Sequence, residues 1–259
     1  MFTFGTKCGK IKKSHTKGAF MDKTVLITGG SRGIGAKAVQ EFSRLGYNVA
    51  FTYLNSKEKA EALEKSSGAF GIVADASKSE DVNNAVSLTI KKFGSIDILI
   101  NNAGIDEFAL FTDITDDMWH RMIDTNLSSA FYASRAVLPQ MISRKSGVII
   151  NVSSMWGQVG ASCEVHYSVS KAGMIGLTKA LAKEVGLSGI RVNCVCPGVI
   201  DTDMNAHLSE DDLEQLKNDT PLGKIGSALD VVKTLIFLSE DSSSFITGQI
   251  FGVNGGMII

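Results

Sequence analysis

The chain has 259 residues, of which 44% are hydrophobic and 20% charged, so it can form one large domain with a substantial core or at most two small ones. Its formal net charge is −1, which gives no overall field that would attract it to nucleic acid or to a membrane surface. Three prolines and 26 non-periodic glycines exclude collagen-like and disordered chains, and no apolar run approaches the roughly 18 residues that span a bilayer.

The cysteines and histidines show no pattern of a metal or redox site. The four cysteines are Cys8, Cys163, Cys194 and Cys196, and their spacing is that of neither a redox pair nor a zinc pair. The four histidines likewise lack metal-ligand spacing. We therefore predict no metal, and we expect reduced thiols in a cytoplasmic protein.

Residues 1–20 differ in composition from the rest of the chain. They contain five lysines and no acidic residue, and they lack the apolar core of a secretory signal. We interpret them as a basic, disordered extension, with Met21 as an alternative start just before the first predicted strand. A single catalytic domain is predicted to cover residues 21–259.

The first predicted strand runs directly into a glycine-rich turn. Residues 24–28 are mostly apolar or β-branched, residues 29–35 contain four glycines, and a helical pattern follows from Ala36. This order of strand, glycine turn and helix is what a dinucleotide-binding site requires. Backbone N–H groups can approach a pyrophosphate there, and the amino terminus of the helix carries partial positive charge.

The second predicted strand, residues 47–53, bears on the choice of cofactor. A site that prefers NAD usually ends this strand with Asp or Glu, which binds the ribose 2′-hydroxyl, but here the position holds Tyr53. Arg32 of the glycine turn, with Ser56 or Lys57, can hold a 2′-phosphate instead. The sequence therefore predicts NADP(H), the alternative being that Arg32 is only a solvated loop cation.

Two further strand ends carry polar residues. A strand predicted over residues 70–73 is followed by Asp75, which either accepts a hydrogen bond from adenine or caps the helix over residues 79–93. An almost wholly apolar strand over residues 96–100 leads into residues 101–104, a turn that lets the backbone approach a cofactor. Continuous apolar strands are typical of parallel sheets buried on both faces.

The second half of the chain combines three side chains suited to proton donation. Residues 115–143 are predicted as a long helical region with Asn126 near its middle, where the amide either has a functional role or has only a structural one, in a local kink or a helix–helix hydrogen bond. Ser154 follows an apolar strand, and Tyr167 and Lys171 are four residues apart, so they share one face of the next helix. Together they can protonate a carbonyl oxygen, although a Tyr–Lys spacing alone often arises by chance.

The remaining elements continue the alternation of strands and helices. A strand is predicted over residues 190–196, a polar and acidic segment over 203–222 that we interpret as a lid, a helix over 230–238 and a strand over 246–253. This order predicts an α/β fold, a single-domain doubly wound parallel sheet (a Rossmann fold) with helices on both faces. All the polar turns described above then fall at the carboxyl ends of the strands, where ligands bind in such sheets.

These motifs closely resemble the short-chain dehydrogenase/reductase family over residues 22–259. The resemblance rests on the glycine turn, the N-N-A-G turn, Asn126, Ser154, the Y-S-V-S-K segment and Pro197-Gly198. It implies a catalytic tetrad of Asn126, Ser154, Tyr167 and Lys171, in which the Lys171 ammonium is expected to lower the pKa of the Tyr167 phenol. The residues expected to contact NADP(H) are Gly29, Ser31, Arg32, Gly33, Ile34, Gly35, Tyr53, Asp75, Asn102, Ala103, Gly104, Tyr167, Lys171, Pro197, Gly198, Ile200 and Thr202.

The substrate is less constrained than the chemistry. The chain is similar to 3-oxoacyl-acyl-carrier-protein reductases, whose substrate is bound to a carrier protein. The segment from Trp156 to Tyr167 instead looks like reductases of a 5-aminopentanone group on elongation factor P. In that case Trp156, Cys163 and Glu164 would line the entrance, and Glu164 would either pair with an amine or serve only as a helix-start acid.

The resemblance also bears on assembly and on rival functions. It implies a homo-oligomer, either a dimer or a tetramer, formed through the two long helices and the carboxyl-terminal segment. A rival class is a non-catalytic NADP-binding regulator on the same fold, which would be expected to lack Tyr167 or Lys171. No partner among nucleic acids or membranes is predicted.

Overall fold

The computed structural model describes residues 23–205 and 209–259, so the predicted extension at residues 1–20 and the alternative start at Met21 lie outside the described residues. The strands are β1 (Thr24–Ile27), β2 (Asn48–Tyr53), β3 (Phe70–Val73), β4 (Ile98–Asn101), β5 (Gly147–Val152), β6 (Ile190–Pro197), β7 (Ile200–Asp201), β8 (Gly226–Ser227) and β9 (Ile250–Val253). The helices are α1 (Gly33–Arg44), α2 (Lys57–Ser67), α3 (Ser79–Phe93), α4 (Asp116–Ile123), α5 (Ser129–Arg144), α6 (Trp156–Val159), α7 (Val165–Val185), α8 (Glu210–Asp219) and α9 (Ala228–Ser239).

Within the described ranges, seven strands form one sheet in the order β3-β2-β1-β4-β5-β6-β9, and all the pairings are parallel. The strand order reverses between β1 and β4, which opens a crevice at the carboxyl ends of these strands. The short strands β7 and β8 pair with each other beside this edge. The predicted doubly wound parallel sheet is therefore confirmed.

Helices cover both faces of the sheet, as parallel strands with apolar side chains on both sides require. One core is formed by α1, α2 and α9, for example through Phe42, Leu63 and Leu235. The other is formed by α3, α5 and α7, for example through Val86 and Met141. No helix in the described parts of the chain is both long and apolar enough to cross a membrane.

A buried polar chain crosses the interior directly below the crevice. Asn101 of β4 donates to the side chain of Asn151 in β5 (2.8 Å), and Asn151 donates to Thr178 of α7 (2.8 Å). Asn101 also donates to Ser134 of α5 (3.2 Å). Because buried amides must be hydrogen-bonded, this chain fixes β4, β5, α5 and α7 in register at the floor of the site.

The long helix predicted over residues 115–143 is divided in the structure. Helices α4 and α5 are joined by a π-helical turn, Asp124–Ser128, that contains Asn126. Such turns insert an extra residue into a helix and are frequent at functional sites. The helix is therefore interrupted locally at Asn126, and the Asn126 side chain also makes specific hydrogen bonds, which are described below.

Candidate active site

The glycine turn brings bare backbone to the crevice at the end of β1. A Cβ atom on Gly29 would lie 2.8 Å from the Cα of Ala103, and Gly29 has a φ of +66°, a value that favours glycine. A Cβ on Gly35 would overlap the carbonyl oxygen of Gly29 and lie 2.7 Å from the side-chain nitrogen of Asn102. The backbone here is packed as closely as a dinucleotide-binding turn requires.

The neighbouring turn after β4 is held against the glycine turn by hydrogen bonds. The amides of Asn102 and Ala103 both donate to the hydroxyl of Thr28 (3.0 Å each). The Asn102 side chain donates to the carbonyls of Thr28 (3.1 Å) and Gly29 (3.0 Å). These bonds fix the two turns together, so they form one continuous wall of the cleft.

The cleft has a volume of about 520 Å³ and runs along the carboxyl edge of the sheet. Every residue predicted to contact the cofactor lies on its wall, namely Gly29, Ser31, Arg32, Gly33, Ile34, Gly35, Tyr53, Asp75, Asn102, Ala103, Gly104, Tyr167, Lys171, Pro197, Gly198, Ile200 and Thr202. Ser154 also lines it. The structure thus brings together residues from seven separate segments of the chain.

Three of the four predicted catalytic residues meet at the floor of this cleft. The Tyr167 phenol lies in hydrogen-bonding range of the Ser154 hydroxyl, and both side chains are buried. Lys171, one turn after Tyr167 on α7, donates from Nζ to the carbonyl of Val152 (3.1 Å) and lies 5.6 Å from the centre of the Tyr167 ring. The hydroxyl, the phenol and the amine are therefore close enough to act on one substrate oxygen.

Asn126 lies behind the cleft rather than on its wall. Its side-chain oxygen accepts from the amide of Ile105 (2.8 Å), and its side-chain nitrogen donates to the carbonyl of Ile105 (2.9 Å) and to Ser170 (3.1 Å). The π-helical turn is what aims this amide at the loop after β4. Asn126 therefore braces the loop and connects it to α7, the helix of Tyr167 and Lys171.

The segment between Ser154 and Tyr167 carries the three predicted substrate residues, Trp156, Cys163 and Glu164, none of which lines the cleft described above. Trp156 begins the short helix α6, and Cys163 adopts a left-handed conformation with a φ of +61°. Glu164 is the N-cap residue of α7, although its side chain makes no capping hydrogen bond. Burial raises the pKa of Glu164 to about 7, and Asp106, on the loop after β4, adds to this rise. The backbone carbonyl of Cys163 accepts a hydrogen bond from the amide of Ala109 (2.9 Å), and this bond connects the segment to the loop after β4.

Comparison with known proteins is consistent with this geometry. A family model described as enoyl-(acyl carrier protein) reductase matches residues 29–258. Over 242 residues the chain is 41% identical to a 3-oxoacyl-acyl-carrier-protein reductase of Staphylococcus epidermidis and 42% identical to that of Staphylococcus aureus. These alignments cover 92% of this chain and 99% and 98% of the relatives. The corresponding protein of Chlamydia trachomatis is 40% identical over 246 residues, which are 93% of this chain and 99% of that protein.

The chain belongs to the short-chain dehydrogenase/reductase family. It is an oxidoreductase that uses a nicotinamide cofactor, as the family implies. The residues present fit that group on structural grounds, because closely packed glycines and the amino terminus of α1 border the cleft. When bound, the nicotinamide supplies or accepts a hydride.

The electrostatics of the reductase centre differ in one respect from the prediction. Burial raises the pKa of the Tyr167 phenol above its usual range, and the hydrogen bond with Ser154 opposes this rise. Because a buried phenolate loses its hydration, burial opposes the lowering of this pKa that is expected from the Lys171 ammonium. Burial also lowers the pKa of Lys171 to about 8, although the charge of Asp106, among others, opposes that shift.

Asp75 is held by its own turn. It accepts from the amide of Ser77 (3.0 Å) and from the Ser77 hydroxyl (2.7 Å). Partial burial raises the pKa of Asp75, but the hydrogen bonds from Ser77 and the nearby charge of Lys78 lower it more, so the net shift is downward. The carboxylate is thus ionised, oriented and exposed to the cleft.

Several residues of the cleft wall were not predicted from the sequence. Arg121 of α4 and Thr125 of the π-helical turn reach the cleft, and Asp203 borders its mouth. Asp203 pairs with Lys59 of α2 at 2.6 Å, so the segment after β7 contacts the start of α2. No local pattern marks these positions, because their approach depends on the division of the long helix and on the path of the chain after β7.

Proposed function

We propose that this reductase uses NADPH to reduce the ketone of a 3-oxoacyl thioester carried by an acyl-carrier protein, a step of fatty acid biosynthesis. The observation that carries the proposal is the meeting of the Ser154 hydroxyl, the Tyr167 phenol and Lys171 at the floor of the cleft that the glycine turn borders. The names of the relatives support the choice of substrate class. A non-catalytic regulator would have no need of this set of side chains.

The proposed chemistry divides the work among the tetrad. Ser154 donates a hydrogen bond to the ketone oxygen, where negative charge develops as the carbonyl carbon gains a hydride. Tyr167 delivers the proton to that oxygen as the general acid. Lys171 stabilises the resulting phenolate and binds the ribose hydroxyls of the cofactor. Asn126 supports the loop and the route by which a proton returns to Lys171.

The preference for NADPH rests on the adenosine end of the cleft. Tyr53 ends β2 where a carboxylate would otherwise repel a 2′-phosphate, and Arg32 lies at the start of α1 with its side chain exposed. Both residues line the cleft. The charge of Arg32 also acts on Asp203 at the mouth of the cleft. The hydrogen bond and charge of Lys59 lower the pKa of Asp203 most, and the charge of Arg32 lowers it further.

Replacing Arg32 with Ala is expected to raise the KM for NADPH by about tenfold or more, because a charge-assisted hydrogen bond to phosphate is lost. The KM for NADH should barely change, since that cofactor has no 2′-phosphate. Steady-state kinetics with both cofactors measure this difference. Arg44→Ala, at the far end of α1, is the matched control, and an unaltered NADPH preference in the Arg32 variant would contradict the assignment.

A second candidate substrate is the 5-aminopentanone group on elongation factor P. The observation that favours it is the pair of acidic groups, Glu164 and Asp106, whose charges act on each other and on the Tyr167 phenol. A protonated amine is a better partner for such a pair than an acyl chain is. Trp156 and Cys163, which lie in the segment between Ser154 and Tyr167, would then contact the aliphatic part of the substrate.

A substrate panel separates these proposals. With NADPH, purified enzyme is expected to reduce acetoacetyl thioesters, with a higher kcat/KM for the carrier-protein form than for a small thiol ester. Elongation factor P that bears the aminopentanone is tested beside its unmodified form. Faster turnover of the modified protein would establish the second candidate, and no NADPH oxidation with any ketone would reject both.

The proposal extends to the setting of the enzyme. We place it in the cytoplasm as a homo-oligomer, either a dimer or a tetramer. Exposed apolar side chains on the long helices support an oligomer, for example Phe131 and Ile142 of α5 and Val169 of α7. No nucleic acid or membrane partner is proposed.

A further inference from the structure

An exposed ion pair joins two distant segments at the mouth of the cofactor cleft. Lys59 of α2 donates from Nζ to a carboxylate oxygen of Asp203 (2.6 Å), which follows β7. Asp203 lines the cleft, whereas Lys59 lies outside its wall. Exposed ion pairs add little to stability, so the main effect of this pair is on the charge that the cleft presents to a ligand.

The turn that carries Asp203 is held by its own hydrogen bonds. Asp203 begins the short helical turn Asp203–Asn205, in which the amide of Asn205 donates to the carbonyl of Thr202 (3.0 Å). The Asn205 side chain donates to the carbonyl of Ile200 (2.8 Å) in β7, and β7 pairs with β8. The carboxylate of Asp203 is therefore held at one place beside the cleft.

This turn also contacts the glycine turn next to Arg32. A Cβ atom on Gly33 would lie 3.5 Å from the Cβ and Cγ2 atoms of Thr202, so Arg32 and Asp203 extend from adjoining segments. The Arg32 side chain is exposed and forms no ion pair within residues 23–205 and 209–259. Its charge still contributes to the lowered pKa of Asp203, after the larger effects of Lys59. One carboxylate thus has two cations near it, and Lys59 is the one that binds it.

We propose that Lys59 is a positioning residue for cofactor choice, which holds Asp203 and thereby leaves Arg32 available to the 2′-phosphate of NADPH. The inference rests on the proposed use of NADPH and deepens it. Without Lys59, the Asp203 carboxylate would pair with Arg32 and would repel the negatively charged phosphate. NADH lacks this phosphate, so its binding should depend little on Lys59.

Two simpler roles of Lys59 lead to different expectations. If Lys59 bound the 2′-phosphate directly, its loss would weaken NADPH binding whether or not Asp203 carried a charge. If the ion pair only fastened α2 to the turn after β7, its loss would weaken the binding of NADH and NADPH alike. Only the proposed role makes the effect of Lys59 depend both on the 2′-phosphate and on the Asp203 carboxylate.

The test is a double-mutant cycle on the Kd values of NADPH and NADH, measured by nucleotide fluorescence with the full-length protein and no ketone. Lys59→Ala should raise the Kd of NADPH relative to that of NADH by about two- to fivefold, the range expected of an exposed ion pair. Asp203→Asn alone should not weaken NADPH binding, and its combination with Lys59→Ala should restore the parent preference. Lys59→Arg keeps the charge and should behave like the parent protein.

Lys65→Ala is the matched control, because it removes a lysine from the last turn of the same helix, outside the cleft wall. Its cofactor preference should equal that of the parent protein. The effect of Lys59→Ala should also shrink as salt is added, since exposed charges are screened. An unchanged preference in Lys59→Ala, or a loss that persists in the double variant, would overturn the proposal.

The same measurements separate this proposal from the proposed function. Cofactor binding is measured without a ketone, so the result does not depend on the identity of the substrate. If Arg32→Ala lowers the preference for NADPH and Lys59→Ala does not, only the role of Lys59 is overturned. If neither variant lowers it, the proposed role of Arg32 in binding NADPH fails as well.

Discussion

Replacement of Tyr167 by Phe is expected to lower kcat for ketone reduction by about 10²–10⁴-fold, the usual contribution of a positioned general acid. The change removes only the phenol oxygen, whose ionisation the Ser154 hydroxyl favours. The ring is 8% exposed and remains packed, so the fold and the cleft should be preserved. Binding of NADPH, followed by the change in its fluorescence, should stay within about twofold of the parent value.

The control for this variant is Tyr132→Phe on α5, which removes a phenol oxygen away from the cleft. Its kcat should match that of the parent protein. Thermal unfolding of both variants checks that the comparison concerns chemistry and not stability. Substantial turnover by Tyr167→Phe would reject Tyr167 as the proton donor, whatever the behaviour of the control.

Replacement of Gly35 by Ala is expected to abolish high-affinity cofactor binding. The added methyl group would overlap the carbonyl oxygen of Gly29 and crowd the side chain of Asn102, which are both parts of the cleft wall. The Gly29 carbonyl is backbone and cannot move aside as a flexible side chain can, so the glycine turn and the turn after β4 must separate. Overpacking of this kind costs about 1–3 kcal/mol, and here the cost falls on the site itself. Titration with NADPH and thermal unfolding measure the two effects.

Gly176→Ala is the matched control for this substitution. Gly176 lies in α7, and a Cβ there would meet no atom within 4 Å. Alanine favours a helix interior over glycine by about 0.5–1 kcal/mol, so this variant should bind the cofactor normally and unfold at an equal or higher temperature. Normal NADPH affinity in Gly35→Ala would show that the glycine turn does not form the binding wall.

Much of this organisation is predictable from the sequence, because local patterns fix it. Apolar runs predict the strands, glycines at a strand end predict the close backbone turn, and the four-residue spacing of Tyr167 and Lys171 predicts their common face. A parallel sheet then places every such turn at one edge. These are consequences of periodicity and chain direction, and they require no knowledge of packing.

The remainder depends on contacts that no local pattern encodes. The contact made from the π-helical turn is of this kind, because the Asn126 amide bonds to Ile105, which is 21 residues earlier in the chain. The effect of Asp106 on Glu164 similarly couples a helix cap to a distant loop, so the sequence indicates a helix-start acid but not the charge that acts on it. The raised pKa of Tyr167 follows from burial by the whole fold, which the neighbouring Lys171 does not reveal.

The two hydrogen bonds between Asn126 and Ile105 also have a consequence for slow motions. Each backbone polar group of Ile105 is occupied by one amide side chain, in the way that a neighbouring strand would occupy it. These hydrogen bonds hold the loop after β4 against the helical layer as far as Ile105, one residue beyond Gly104. A second anchor lies at Ala109, whose amide donates to the backbone carbonyl of Cys163, so we expect slow opening on the substrate side to be confined to the residues between these two anchors.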